Sequence, residues 1–136
     1  MYVLEGRQNA QIYIKVLETS LLPLIQQNRS ESVVFQQDNC PLHTAAATKQ
    51  WLATKNINCM EWPACSPDLN PMEYIWDVLS HKVYANGQQF QSKAQLIERM
   101  RFCWKNTDNQ IFISMIDSMK TRCVEILKNK GNILKY

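Results

Sequence analysis

Hydrophobic positions along the chain change their spacing several times, and each change marks an element. Tyr2 to Leu4 is a short apolar run ending at Gly6, which reads as the tail of a strand. From Asn9, whose side chain can cap a helix, Tyr13, Val16, Leu17, Leu21 and Leu24 fall at helical spacing. Pro23 lies near the end of that stripe, where a missing N–H should stop or kink the helix. Ser32-Val33-Val34-Phe35-Gln36 is a β-rich run between polar residues and is expected as a buried strand. Residues 44 to 55 read as a helix and Ile57 to Met60 as a further strand.

Trp62-Pro63-Ala64-Cys65-Ser66-Pro67-Asp68-Leu69-Asn70-Pro71 holds three of the chain's five prolines and predicts a rigid loop. The loop opens a helix with Asn70 as cap and Pro71 in the first helical position, followed by Ile75, Trp76, Leu79 and Val83 along one face. Beyond Asn86-Gly87 the spacing is helical throughout. Leu96, Ile97, Met100, Cys103 and Trp104 form one stripe. Phe112, Met115, Ile116, Met119, Cys123, Ile126 and Leu127 form another, which a break near Ser118 would divide into two helices. Residues 88–136 are therefore expected to be the mainly helical C-terminal part of the same domain that occupies 1–136.

Strands alternating with helices imply an α/β fold with parallel pairing, because a helical crossover returns each strand in the same direction. At 136 residues this is one ordinary domain, and no run approaches the roughly 20 apolar residues of a membrane helix. The start of the chain also lacks the basic segment and apolar block of a secretory signal. Five cysteines without a CxxC spacing argue against a disulfide framework and for reduced thiols in an intracellular setting. The net charge of +3 is unevenly spread: residues 1–80 sum to −3 and residues 81–136 to +6. An anionic partner would be felt at Lys120, Arg122, Lys128 and Lys130, unless these simply solvate the outside of a helix.

In α/β sheets ligands gather at the carboxyl ends of strands. Asp38 follows Val33-Val34-Phe35 there, and Glu73 sits in the first turn of the helix after the next strand. The two acids are separated by 34 residues, yet one βαβ unit can bring them to the same sheet edge. Paired carboxylates without a basic partner are costly unless a cation joins them, and Mg²⁺ suits oxygen ligands of this kind. The alternatives are an Asx turn at Asp38 before Pro41 and a capping box between Asn70 and Glu73. Neither His43 nor His81 has a nucleophile elbow beside it, so a hydrolase triad is not indicated.

Two segments resemble the Tc/mariner superfamily of DDE transposases. Gln36-Gln37-Asp38-Asn39-Cys40-Pro41-Leu42-His43-Thr44 is similar to its second-aspartate motif. Trp62-Pro63-Ala64-Cys65-Ser66-Pro67-Asp68-Leu69-Asn70-Pro71-Met72-Glu73-Tyr74-Ile75-Trp76-Asp77 is similar to its third-acid motif, in the version that ends in glutamate. Weaker similarity runs from Asn9 to Pro23 and through the C-terminal helices to Tyr136. The resemblance implies a ribonuclease H-like α/β fold with extra C-terminal helices and an acidic triad carrying two Mg²⁺ ions, for which Mn²⁺ can substitute. It implies cleavage of DNA at transposon ends and joining to target DNA, hence DNA as partner and the nucleus as location. Asp38 and Glu73 would be the catalytic metal ligands, one per ion, with Asp68 and Asn70 supporting them.

The chain also departs from the family. Residues 1–37 contain no Asp, so the triad's first aspartate and the family's helix-turn-helix region are expected to lie outside these 136 residues. The chain is thus expected to be an N-terminally truncated catalytic domain, inactive alone, whose strand beside Asp38 exposes an apolar edge that invites self-association. Leu42 stands where the family often has a basic residue. Two other readings are a noncatalytic, transposon-derived nuclear protein that binds DNA through its basic helices, and a zinc site from Cys40, His43, Cys59 and Cys65.

Overall fold

A computed structural model describes residues 2–28 and 32–131. Tyr136, to which the family resemblance extends, lies outside them. Two compact units are present, residues 1–65 and residues 66–136.

The first unit is built on α1 (Ala10–Val16), whose opening Asn9 caps as its spacing suggested, its side-chain oxygen accepting from the Ile12 N–H at 3.0 Å. The helix does not stop at Pro23. It widens into a π-helical segment, Leu17–Leu21, and continues as α2 (Leu22–Gln27). Pro23 cannot donate to the turn behind it, and the wider turn absorbs that loss, with the Leu22 N–H reaching back to the Leu17 carbonyl. The helix expected over 44–55 is α4 (Ala46–Thr54), and a short helix that was not expected, α3 (Pro41–Thr44), precedes it, separated by Ala45 with an extended ψ of 142°. Helices α1, α3 and α4 pack on one another around Ile14, Leu17, Leu52 and Thr48. Thr48 is wholly buried and gives its hydroxyl to the Leu42 carbonyl at 2.7 Å, so the polar side chain pins α3 to α4.

The expected strands are reduced to one contact among the described residues. Phe35 and Cys59 form a single parallel bridge, with Phe35 N–H to the Asn58 carbonyl and Met60 N–H to the Phe35 carbonyl, both 2.8 Å. The direction is the expected one, but the buried run is not, since Val33 and Val34 are 36% and 42% exposed. Tyr2 to Leu4 joins no ladder, and Tyr2 and Leu4 are exposed. A β-rich segment is buried only where neighbouring strands cover it, and one bridge covers little.

In the second unit a short 3₁₀ turn, Pro67–Leu69, leads into α5 (Pro71–Val83), followed by α6 (Lys93–Lys105) and α7 (Asn109–Lys128). Ile75, Leu79 and Val83 are buried, as the stripe on α5 requires, and Leu79 and Val83 pack with Cys103, Phe90, Leu96, Met100 and Trp104. Trp76 departs from the stripe: it is about half exposed and touches Trp104 ring to ring at 5.9 Å. The break expected near Ser118 is absent and α7 runs unbroken, since the Ser118 hydroxyl donates to the Met115 carbonyl and leaves the helix intact. Its apolar stripe is only partly used. Ile116 and Leu127 are exposed, and the buried residue of α7 is Arg122. No helix among the described residues is long and apolar enough to cross a membrane.

Candidate functional site

Asp38 stands where the chain leaves the Phe35 bridge and turns into α3, and the local sequence fixes its carboxylate there. Oδ1 accepts from the Cys40 N–H at 3.0 Å and lies 2.6 Å from His43 Nδ1. The bond from the Cys40 N–H, joined by His43, holds the Asp38 carboxyl below its ordinary 3.8 against the opposing effect of burial, so it is ionised at neutral pH. A carboxylate only accepts, so the imidazole donates from Nδ1. The Asx turn before Pro41 is therefore present, and it aims the acid as well as closing the turn. With both side-chain bonds on Oδ1, Oδ2 is left for a cation, and an exposed ionised oxygen donor is what Mg²⁺ selects.

Behind Asp38 lies a shell that periodicity alone assigned to core. The Tyr13 ring packs on His43 with centroids 4.3 Å apart, and its hydroxyl donates to Gln37 Oε1 at 2.8 Å. Burial, then the Asp38 charge, pushes the Tyr13 phenol from 10.0 to about 12. On the other side the Asn39 amide donates to the Trp62 carbonyl at 2.8 Å, tying the aspartate loop to the start of the proline-rich loop. That loop passes through Cys65 with a positive φ of 51°, an uncommon conformation for a side chain with a Cβ. Asp38, His43, Cys59 and Trp62 line a cleft within this unit.

Glu73 occupies the first turn of α5 in the second unit and is exposed. The Asn70 side-chain oxygen caps the helix by accepting from the Met72 N–H at 3.1 Å, while its amide reaches Glu73 Oε1 at 3.5 Å. The reciprocal capping box is not formed, because the Asn70 N–H is taken by the Pro67 carbonyl. Asp68 belongs to the 3₁₀ turn, where its backbone carbonyl accepts from Arg122 Nη1 at 2.9 Å.

That bond corrects the expectation for Arg122. It is 8% exposed, with Nε donating to the Ser118 hydroxyl at 3.0 Å, so its guanidinium braces the proline-rich loop instead of standing on the surface. Lys120, Lys128 and Lys130 are exposed as expected. The four-residue zinc set is also revised. Among the described residues the one group of three or more such side chains close enough to share a metal is Asp38, Cys40 and His43, and Cys59 and Cys65 fall outside it. Cys40 comes near the Asp38 carboxylate because its own N–H closes the turn on Oδ1 just before α3 begins.

Residues 1–97 match the sequence model of a family described as DDE superfamily endonuclease. The chain is 34% identical over 131 residues to the transposable element Tc3 transposase of Caenorhabditis elegans, covering 96% of the chain and 40% of that protein. It therefore spans less than half the length of this relative. Its backbone matches the Mos1 transposase catalytic domain solved with raltegravir and Mg at a TM-score of 0.85 and 25% identity, over 96% of this chain and 67% of that one. It also matches the Mos1 transposase paired-end complex with left transposon end at a TM-score of 0.83 and 27% identity, over 96% of this chain and 38% of that one.

Proposed function

Since the chain belongs to the DDE superfamily of endonucleases, we propose that it is part of a Tc/mariner transposase catalytic domain, which cuts DNA at transposon ends and joins it to target DNA on divalent metal. The observation that carries this reading is the Asp38 loop, where a backbone N–H and an imidazole hold an exposed carboxylate ionised with one oxygen left over. Asp38 and Glu73 are the residues that would hold Mg²⁺, or Mn²⁺ in its place, one ion each in the complete two-ion centre, and they are two of its three acids. When bound, such ions neutralise charge on the scissile phosphate and activate the attacking water or 3′-hydroxyl.

The chain's own residues have separable roles. His43 and the Cys40 N–H orient Asp38. Asn70 starts α5 and turns Glu73. Asp68 holds the proline-rich loop to Arg122 through its carbonyl. Lys120, Lys128 and Lys130 give a path for DNA phosphates, and the nucleus is where such a substrate is met. The Phe35–Cys59 bridge is the part of a ribonuclease H-like sheet that lies in this stretch, and the exposed Val33 and Val34 beside it are where a further strand, from this chain's neighbour or another copy, would pair.

Thermal unfolding of the chain with and without metal tests the site directly. Mg²⁺ or Mn²⁺ should raise the Tm, because a ligand that binds only the folded state stabilises it. Asp38→Asn or Glu73→Gln should each remove most of that gain, and Asp68→Asn should remove less. Equal metal stabilisation in the wild type and in the Asp38→Asn, Glu73→Gln double variant would overturn the assignment.

A further inference from the structure

The Asp38 loop brings together three donors of different chemistry, and the transposase reading uses only one of them. Asp38 oxygen, Cys40 sulfur and His43 nitrogen all lie within 4.8 Å of one another. From this juxtaposition we propose a second metal site on the loop, a three-ligand Zn²⁺ site formed by Asp38, Cys40 and His43 with its fourth position open to water, which excludes Mg²⁺ from Asp38 while it is filled.

The donor set decides the class of ion. Mg²⁺ takes oxygen and dehydrates reluctantly, whereas thiolate and imidazole select zinc and its neighbours in the first transition series. Zinc bonds of about 2.0–2.3 Å in a tetrahedron place ligand atoms roughly 3.3–3.8 Å apart. The three donors, within 4.8 Å of one another, need only side-chain adjustment to reach that spacing. Asp38 has the freedom to move, with a side chain 57% exposed, and His43 Nδ1 already points at it. Metal takes the Nδ1 lone pair, the proton that Nδ1 shared with Asp38 moves to Nε2 by tautomeric exchange through solvent, and the Cys40 thiol proton passes to solvent.

The scaffold is unusually well held for so short a segment. The His43 and Thr44 N–H groups both bond the Cys40 carbonyl, at 2.8 and 3.1 Å, so Cys40 and His43 sit on one turn. The Tyr13 ring packs on the imidazole at a tilt of 33° and limits its rotation. Fixed ring orientation behind a histidine ligand is the ordinary supporting feature of a metal site. Zinc binding itself stands independently of the transposase reading, and only the exclusion of Mg²⁺ rests on it.

The test uses the full chain, freed of metal, with Co²⁺ as a spectroscopic stand-in and Zn²⁺ measured against a chromophoric chelator. Co²⁺ should give the visible bands of a four-coordinate ion together with a near-ultraviolet sulfur-to-cobalt charge-transfer band. Cys40→Ser should abolish that band, and Cys40→Ser or His43→Gln should weaken Zn²⁺ by more than the ~10–100-fold lost with a supporting residue. Cys59→Ser and Cys65→Ser should change neither. With one equivalent of Zn²⁺ bound, added Mg²⁺ should raise the Tm little further, and Cys40→Ser should restore the Mg²⁺ response. A Co²⁺ complex without the sulfur band, or an unchanged Zn²⁺ affinity in Cys40→Ser, overturns the site. Sulfur-ligated Co²⁺ in a chain whose Tm ignores Mg²⁺ upholds the zinc site and defeats the Mg²⁺ assignment of Asp38 instead.

Discussion

Tyr13 and Asp38 touch the same imidazole, yet they respond to pH with opposite signs. Burial and the Asp38 charge favour the neutral phenol in the folded chain, which raises Tyr13 to about 12 from 10.0. Its contribution to stability is whole below pH 10 and is lost as the pH rises through about 12, since the unfolded phenol gives up its proton first. In Tyr13→Phe the alkaline decline in Tm should be flatter, and the slowest of the tyrosine absorbance titrations should disappear. Asp38 is lowered from 3.8, so its contribution is present above that pH and fades as the pH falls through the lower folded value. Wild type and Asp38→Asn should therefore differ most in Tm above pH 3.8 and converge in acid.

Among the elements, α5 carries the most consequence per residue, because one side chain both starts it and steers its acid. Asn70→Ala should cost about 1 kcal/mol, the usual loss of a helix cap, and weaken the Mg²⁺-induced rise in Tm as well. Asn70→Ser keeps a capping oxygen but has no amide for Glu73. It should hold near wild-type Tm without metal while still losing part of the metal response, a split that a purely structural Asn70 would not show. The far end of α5 is core alone. Leu79→Ala, beside Val83 and Cys103, should destabilise the second unit by roughly 2–5 kcal/mol in urea unfolding without altering metal affinity relative to the folded state.

For the whole molecule, the excess positive charge after residue 80 matters only where it reaches solvent. Lys120, Lys128 and Lys130 reach it, and Arg122 does not. If DNA lies along α7, each of these lysines that meets a phosphate contributes about 0.9 to the slope of log affinity against log salt. Changing all three to Ala should flatten the slope measured by fluorescence anisotropy. Arg122→Ala should act differently, lowering the Tm by freeing the Asp68 carbonyl and Ser118, with little change of slope in protein that remains folded.

Much of this was already written in local sequence. Asn9 and Asn70 cap helices where their spacing placed them, Pro71 enters α5 in the first turn, and the stripes of α5 and α6 bury Leu79, Val83 and Cys103. Capping and amphipathic spacing are short-range properties, satisfied within one or two turns, so the residues themselves determine them. The two acidic motifs were legible for a related reason, since a turn and a helix start recruit their own neighbours. Tertiary structure alone decided the rest. Val33 and Val34 read as a buried strand but are exposed, because burial of a strand depends on partners elsewhere in space. Arg122 read as a surface cation but is buried, because its acceptors include Ser118 on its own helix and the carbonyl of Asp68, 54 residues away. Tyr13 read as core and instead lies against His43, since a helical period tells which face is covered and not what covers it.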